Sequence, residues 1–296
     1  MKRVPMPSGD VSLTRELCAP LAATSDRKRG LRGRAACLLL LLFGAATAIT
    51  SASAEVIPVG NGTGGDVPTQ TLYWESADAR ATLVLVPGGA GSLGLQLTQK
   101  EPRNSFYQAL KKLTGTTTGH PGIHVVVFDS PNRLDSNPRG YPSSRATADH
   151  LSRISSVIRF YKQKTGKPVW LMGHSNGAVS ITEFLRYDDP ERALSHISGL
   201  IVSGARKVAY FDERPLDVPV LFLHHERDGC SNADPRASVR NFEQVKKTNK
   251  SVTEFRFVKS GQPESGSPCE GGHHMYYGAD IEMNEALRTF ILSNVP

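Results

Sequence analysis

Long apolar runs are scarce in this 296-residue chain. The most extended, Ala35 to Ile49, covers about 15 residues, short of the ~20 that a membrane-spanning helix needs. An excess of charge of one sign is also missing from most of the chain. The formal net charge is +7, but residues 1–54 hold eight Lys/Arg against three Asp/Glu, so the remaining 242 residues carry only +2. The basic pI therefore describes the N-terminus and makes no case for a nucleic-acid partner. Cysteines number four. Cys18 and Cys37 lie in the N-terminal segment, leaving Cys230 and Cys269 for the rest. No C-x-x-C pair is present, and none of His224, His225, His273, His274, Cys230 and Cys269 shows C-x-x-C or H-x-x-x-H spacing, which removes the usual signature of a zinc site among them. There is no internal repeat and no second composition regime, so residues 55–296 read as a single domain.

What is present begins with a processing signal. The basic stretch Arg27-Lys28-Arg29-Gly30-Leu31-Arg32-Gly33-Arg34 precedes the apolar run, and Ala52-Ser53-Ala54 supplies the small-x-small pattern that signal peptidase accepts. Residues 1–54 are expected to form a signal peptide, with an uncleaved N-terminal anchor as the alternative. The protein is then periplasmic or extracellular, and an even cysteine pair in an exported chain is a disulfide candidate.

Residues 55–70, rich in Gly, Pro, Thr and Asn, are expected to be an exposed lead-in. Beyond them, short β-branched runs end at Val86, Phe128, Met172, Val202, Leu223 and Val258. Most do not alternate with polar residues, as expected of strands covered on both faces. Between them, segments 103–113, 143–164, 176–187, 233–247 and 279–293 have helical spacing; Leu151, Ile154, Val157, Ile158 and Tyr161 form one such stripe. Alternating strands and helices predict an α/β fold with a mostly parallel sheet and helices on both faces. Chemistry then gathers at the C-terminal ends of the strands.

Gly173-His174-Ser175-Asn176-Gly177 is a G-x-S-x-G motif between a strand and a helix. That context demands a tight, strained turn that exposes the Ser175 hydroxyl at a helix N-terminus, where the dipole favours developing negative charge. On this elbow, on the glycine loop after the first apolar run, and on the order Ser…Asp…His, residues 71–296 resemble the α/β-hydrolase superfamily. The likeness is strongest to small, cap-less, exported bacterial serine hydrolases with one cysteine after the acid and another before the histidine.

The resemblance implies an oxyanion loop at Pro87-Gly88-Gly89-Ala90-Gly91. Pro87 stands where the superfamily has His, but the Gly-Gly pair is intact. Gly89 and Asn176 become the oxyanion donors. The same stretch, Gly89 to Gly94, also spells G-x-G-x-x-G. The helix and acidic residue of a dinucleotide site are not at their proper spacing, since the next strand ends at Asp129.

In His224-His225-Glu226-Arg227-Asp228-Gly229-Cys230, the resemblance assigns Asp228 as the acid, with Glu226 the nearest alternative. It assigns the base to Gly271-Gly272-His273-His274-Met275-Tyr276, favouring His274 over His273. If Asp228 and His274 meet, Cys230 and Cys269 are drawn together. A rival arrangement gathers His224, His225, His273, His274 and both cysteines around zinc. His120, His124, His150, His174 and His196 read as surface or packing residues, with His174 placed to line the pocket.

The connection from Gly204 to Val218 leaves no room for a large cap. The polar loop Ser130 to Ser144, with Arg133, Asp135, Arg139 and Tyr141, is placed to border the pocket. The expected activity is hydrolysis of a small-molecule or polymeric ester through an acyl-enzyme on Ser175. Neither a cofactor, a metal nor an obligate protein partner is called for. Peptidase or polyester depolymerase activity on the same triad, or a catalytically silent envelope binding protein on this scaffold, are the alternatives.

Overall fold

The computed structural model describes residues 54–61, 67–95, 104–115, 120–134, 143–187, 194–263 and 266–295. Residues 1–53, where a signal peptide was expected, and most of the polar loop, residues 135–142, lie outside them. Eight strands form one sheet in the order β1-β2-β4-β3-β5-β6-β7-β8. They are β1 (Ala54–Val59), β2 (Thr69–Trp74), β3 (Thr82–Val86), β4 (His124–Asp129), β5 (Val169–His174), β6 (Gly199–Ser203), β7 (Val220–His225) and β8 (Thr253–Val258). From β4 through β8 every neighbouring pair is parallel. β2 runs antiparallel to both β1 and β4.

The non-alternating composition of β3 through β7 has its reason in the layers. Every residue of these five strands is buried. Successive side chains serve opposite faces, so Val84 and Val86 enter one core while Leu83 and Leu85 enter the other. The first core is covered by α2 (Ala148–Thr165), α3 (Asn176–Tyr187) and α4 (Pro235–Thr248), through Ile154, Val157, Phe184 and Val245. The second is covered by α1 (Ser105–Lys111) and α5 (Asp280–Ser293), through Phe106, Met283, Leu287 and Phe290. An α/β sandwich with helices on both faces follows directly from burying those two apolar surfaces.

Two expectations need correction. Residues 55–70 are not a plain lead-in. Ala54–Val59 pairs with Thr69–Trp74, and Val56 and Val59 are buried. The strand tolerates Pro58 because β1 is an edge, paired on one side only, where a missing N–H can go unused. The helix expected over 143–164 is broken into a 3₁₀ turn, Ser143–Ala146, and α2. Thr147 separates them in an extended conformation, and its hydroxyl accepts from the His150 N–H to cap α2. At the other end of α2, Gly166 sits in the left-handed region (φ 63°) and closes the helix.

Candidate active site

The sheet brings the expected residues to one end. Ser175 follows β5, Asp228 follows β7, and His274 lies between β8 and α5. The turn that carries Ser175 is sharp. Ser175 is held at φ 56°, a region non-glycine residues rarely occupy. Its N–H donates to the Ser203 carbonyl (2.9 Å), and its carbonyl accepts from the Ala178 N–H (3.1 Å). The flanking glycines are a packing demand. A Cβ on Gly177 would lie 1.9 Å from the Val86 carbonyl oxygen, and one on Gly173 would lie 2.5 Å from the Gly177 carbonyl oxygen. Only without those atoms can α3 start this close to β3 and turn the Ser175 hydroxyl outward.

The His274 Nε2 is 3.0 Å from the Ser175 Oγ, and its Nδ1 is 2.7 Å from the Asp228 Oδ2. Of the two alternatives left by the sequence, Glu226 is exposed. His273 instead places its Nδ1 3.0 Å from the Arg227 carbonyl and stacks on His225 (centroids 4.1 Å apart). Burial alone would raise the Asp228 carboxyl. Hydrogen bonds from His224 and His274, together with the Cys230 N–H, overcome that and hold it well below the ordinary carboxylate range. An ionised carboxylate only accepts, so His274 must carry its proton on Nδ1. Its Nε2 is then bare and faces the serine hydroxyl, as a general base requires.

His224 was legible only as part of the strand-end motif or as a candidate metal ligand. In the fold its Nε2 donates to the same Asp228 Oδ2 at 2.9 Å, while its Nδ1 accepts from the Ser238 hydroxyl at 2.7 Å. The His and Cys residues of the zinc arrangement are thus engaged separately. His224 and His274 serve Asp228, and His225 donates to the Ser260 carbonyl (2.7 Å). Cys230 and Cys269 form a disulfide with their Cα atoms 4.5 Å apart. Among the described residues no group of three His, Cys, Asp or Glu side chains has the geometry to hold a metal ion. The disulfide joins the acid loop to the base loop, and the Cys230 N–H itself donates to the Asp228 Oδ1 at 2.9 Å.

His174 does not line the pocket. It is buried beneath His274, its ring 5.1 Å from that of His274. The Tyr276 hydroxyl donates to the Leu223 carbonyl, which leaves its oxygen to accept from Ser203 and leaves Ser203 to accept from His174 Nδ1. Burial holds the His174 pKa well below the usual histidine value, so the ring is neutral behind His274.

The glycine loop lies against the nucleophile. A Cβ on Gly88 would sit 2.7 Å from the Ser175 Cβ, so only glycine lets the loop approach this closely. The Gly88 carbonyl accepts from the Gly91 N–H (2.9 Å). The Gly89 carbonyl accepts from Arg145 Nη2 and Asn176 Nδ2, both at 2.9 Å. Arg206 in turn donates to the Asn176 Oδ1 at 2.7 Å. Neither arginine was singled out from the sequence, and no local pattern marks them. The rest of the G-x-G-x-x-G stretch is committed to Asp129, whose carboxylate accepts from the Leu93 N–H (2.5 Å) and the Leu95 N–H (2.7 Å). Amides already donating to the protein's own carboxylate do not offer a phosphate cradle.

No protein-family model matches the chain, and no curated protein matches its sequence. Solved structures do match its shape. A dienelactone hydrolase from Anabaena variabilis aligns over 83% of this chain and 100% of its own at 13% identity, with a TM-score of 0.56. An esterase from Pyrococcus furiosus aligns over 82% and 93% at 13% identity (TM-score 0.52). An α/β serine hydrolase without a lid, from Xanthomonas campestris, aligns over 82% and 95% at 15% identity (TM-score 0.50). With its strand order, its elbow and the short connection between β6 and β7, the chain has the α/β-hydrolase fold.

Proposed function

We propose that the protein is an exported serine hydrolase that cleaves carboxylic esters through an acyl-enzyme on Ser175. The observation that carries this reading is the continuous hydrogen-bonded line from the Ser175 Oγ through His274 to Asp228, with Ser175 in the strained turn at the start of α3. His274 takes the serine proton as the hydroxyl attacks the acyl carbon and returns it to the leaving alcohol. Asp228 orients the ring and stabilises it while it is charged. The N–H groups of Gly89 and Asn176 receive the oxyanion. Water, activated by the same histidine, releases the acid. Esters are favoured because the structural neighbours include an esterase and a dienelactone hydrolase. The short β6–β7 connection leaves the serine partly exposed and suits bulky or polymeric substrates as well as small ones. Export is supported by the basic and apolar N-terminal pattern and by the Cys230–Cys269 disulfide.

The test is labelling of Ser175 by a fluorophosphonate, followed by p-nitrophenyl esters of increasing acyl length. Labelling and turnover are expected in the wild-type protein. Ser175→Ala is expected to lose both, with activity down about a thousandfold or more. A mutant within about tenfold of wild type would remove Ser175 from the mechanism. N-terminal sequencing of the protein from periplasm or culture fluid tests export, with a mature terminus expected near Ala54.

A further inference from the structure

Two arginines are buried beside the nucleophile without an acidic partner among the described residues. Arg145 is 0% exposed and Arg206 6%. Neither takes part in any salt bridge of the described residues, and the Nε of each lacks a hydrogen-bond partner among them. Burial, together with the nearby Arg206 charge, pulls the Arg145 pKa down to about 9, still high enough to leave it charged at neutral pH. Burying unpaired cations is costly, so a fold that keeps two of them needs a reason in their contacts.

Contacts from both lead to one atom, although Arg145 also donates to the Pro87 carbonyl (3.4 Å). Arg145 donates directly to the Gly89 carbonyl and, from its other terminal nitrogen, to the Ser180 hydroxyl (2.7 Å). Arg206 reaches the same carbonyl through the Asn176 side chain. The carbonyl belongs to a Gly-Gly pair, with Gly89 at φ 55°, and glycine lets a peptide plane rotate with little steric resistance. The donor N–H of Gly89 lies in the peptide plane just before that carbonyl, so if the pinned plane swung, rotation about Gly89 would be free to turn the N–H away from the place where negative charge develops.

We infer that Arg145 and Arg206, bridged by the Asn176 side chain, form a clamp that holds the oxyanion loop in its donor orientation. They also supply positive charge that is compensated only when the tetrahedral anion forms. The inference rests on the serine-hydrolase reading above. Both arginines are positioning residues, since they act through the Gly89 peptide and do not touch the substrate. Their contribution belongs to the transition state, so it is read in kcat more than in KM.

The experiment uses Arg206→Gln, Asn176→Ala and Arg145→Gln in the full-length mature protein. Asn176→Ala keeps the backbone N–H and removes only the bridge. Fluorophosphonate labelling of wild type comes first, because an unlabelled wild type fails the parent reading and the clamp with it. In labelled protein, each folded variant is expected to lose about ten- to a hundredfold in kcat, with KM within about threefold. Affinity for a boronic acid, which mimics the anionic tetrahedral adduct, is expected to fall in parallel. A folded Arg206→Gln and Asn176→Ala that keep kcat within about threefold, or that change KM in place of kcat, overturn the clamp and leave the triad standing. If Arg145→Gln does not fold, these two variants decide the matter.

Discussion

Asp228 accepts an imidazole N–H from each side on one oxygen. Its depressed pKa is a statement about stability as well as catalysis. A carboxylate held below its unfolded value stabilises the fold at any pH above the ordinary carboxylate range, and that stabilisation is lost as pH falls through the lower native value. His224→Phe removes one of the two donors, so the native value rises and the loss moves to higher pH. Thermal melts of this variant are expected to show about 2 kcal/mol less stability near neutrality, and the part of the acid-side loss that belongs to Asp228 should be smaller than in wild type and complete at a higher pH. An unchanged acid limb would mean that His224 contributes only bulk. Ser175 was legible in the sequence from its motif between a strand and a helix, whereas Asp228 and His274 were reached through the family resemblance of the segments that carry them. His224 was visible but its role was not, since nothing local says which side of the acid it occupies. Arg145 and Arg206 were invisible. They lie 30 or so residues to either side of the elbow, and only the fold aims them at a shared carbonyl.

At the scale of elements, the meeting of β3 with the start of α3 sets the position of the nucleophile. Gly177→Ala places a methyl group within 1.9 Å of the Val86 carbonyl oxygen, in backbone that cannot yield without moving the strand. Melting temperature and ester turnover are expected to fall together, and a variant as stable and active as wild type would show that the helix can shift freely. The disulfide acts between the acid and base loops. Its cysteines are 39 residues apart, a loop worth about 4 kcal/mol in the chain-entropy model. Cys230→Ser with Cys269→Ser is expected to lose a large part of that in denaturant melts, and turnover should decline at temperatures where circular dichroism still reports a folded chain. The central strands were easy to place because burial on both faces erases alternation and leaves dense Val/Leu/Ile runs. β1 was missed because its edge position admits Pro58 and buries only two of its six residues, so its composition imitates a loop. The break before α2 was missed because Thr147 is a capping device whose neighbours continue the helical spacing.

Over the whole molecule, acid stability is expected to depend on histidines that the fold keeps neutral. Burial lowers the pKa of His150 to about 3, and it lowers those of His124, His174 and His225 as well. The unfolded chain binds protons at these rings from about pH 6.5 downward while the native state does not, so stability falls as pH drops below that value. Melting temperature is expected to decline from about pH 6.5, and a plateau extending down to about pH 4 would contradict this. One covalent link has a bearing on survival against proteases. Any backbone scission between residues 231 and 268 divides the chain into two pieces that remain joined through Cys230 and Cys269. The exposed turn around Gln262 and Pro263 is an obvious place for such a nick. The piece bearing His274 then cannot diffuse away from the piece bearing Ser175 and Asp228. A nicked molecule runs as one band without reductant and as two with it, and it keeps working until a reductant, not a protease, separates the halves.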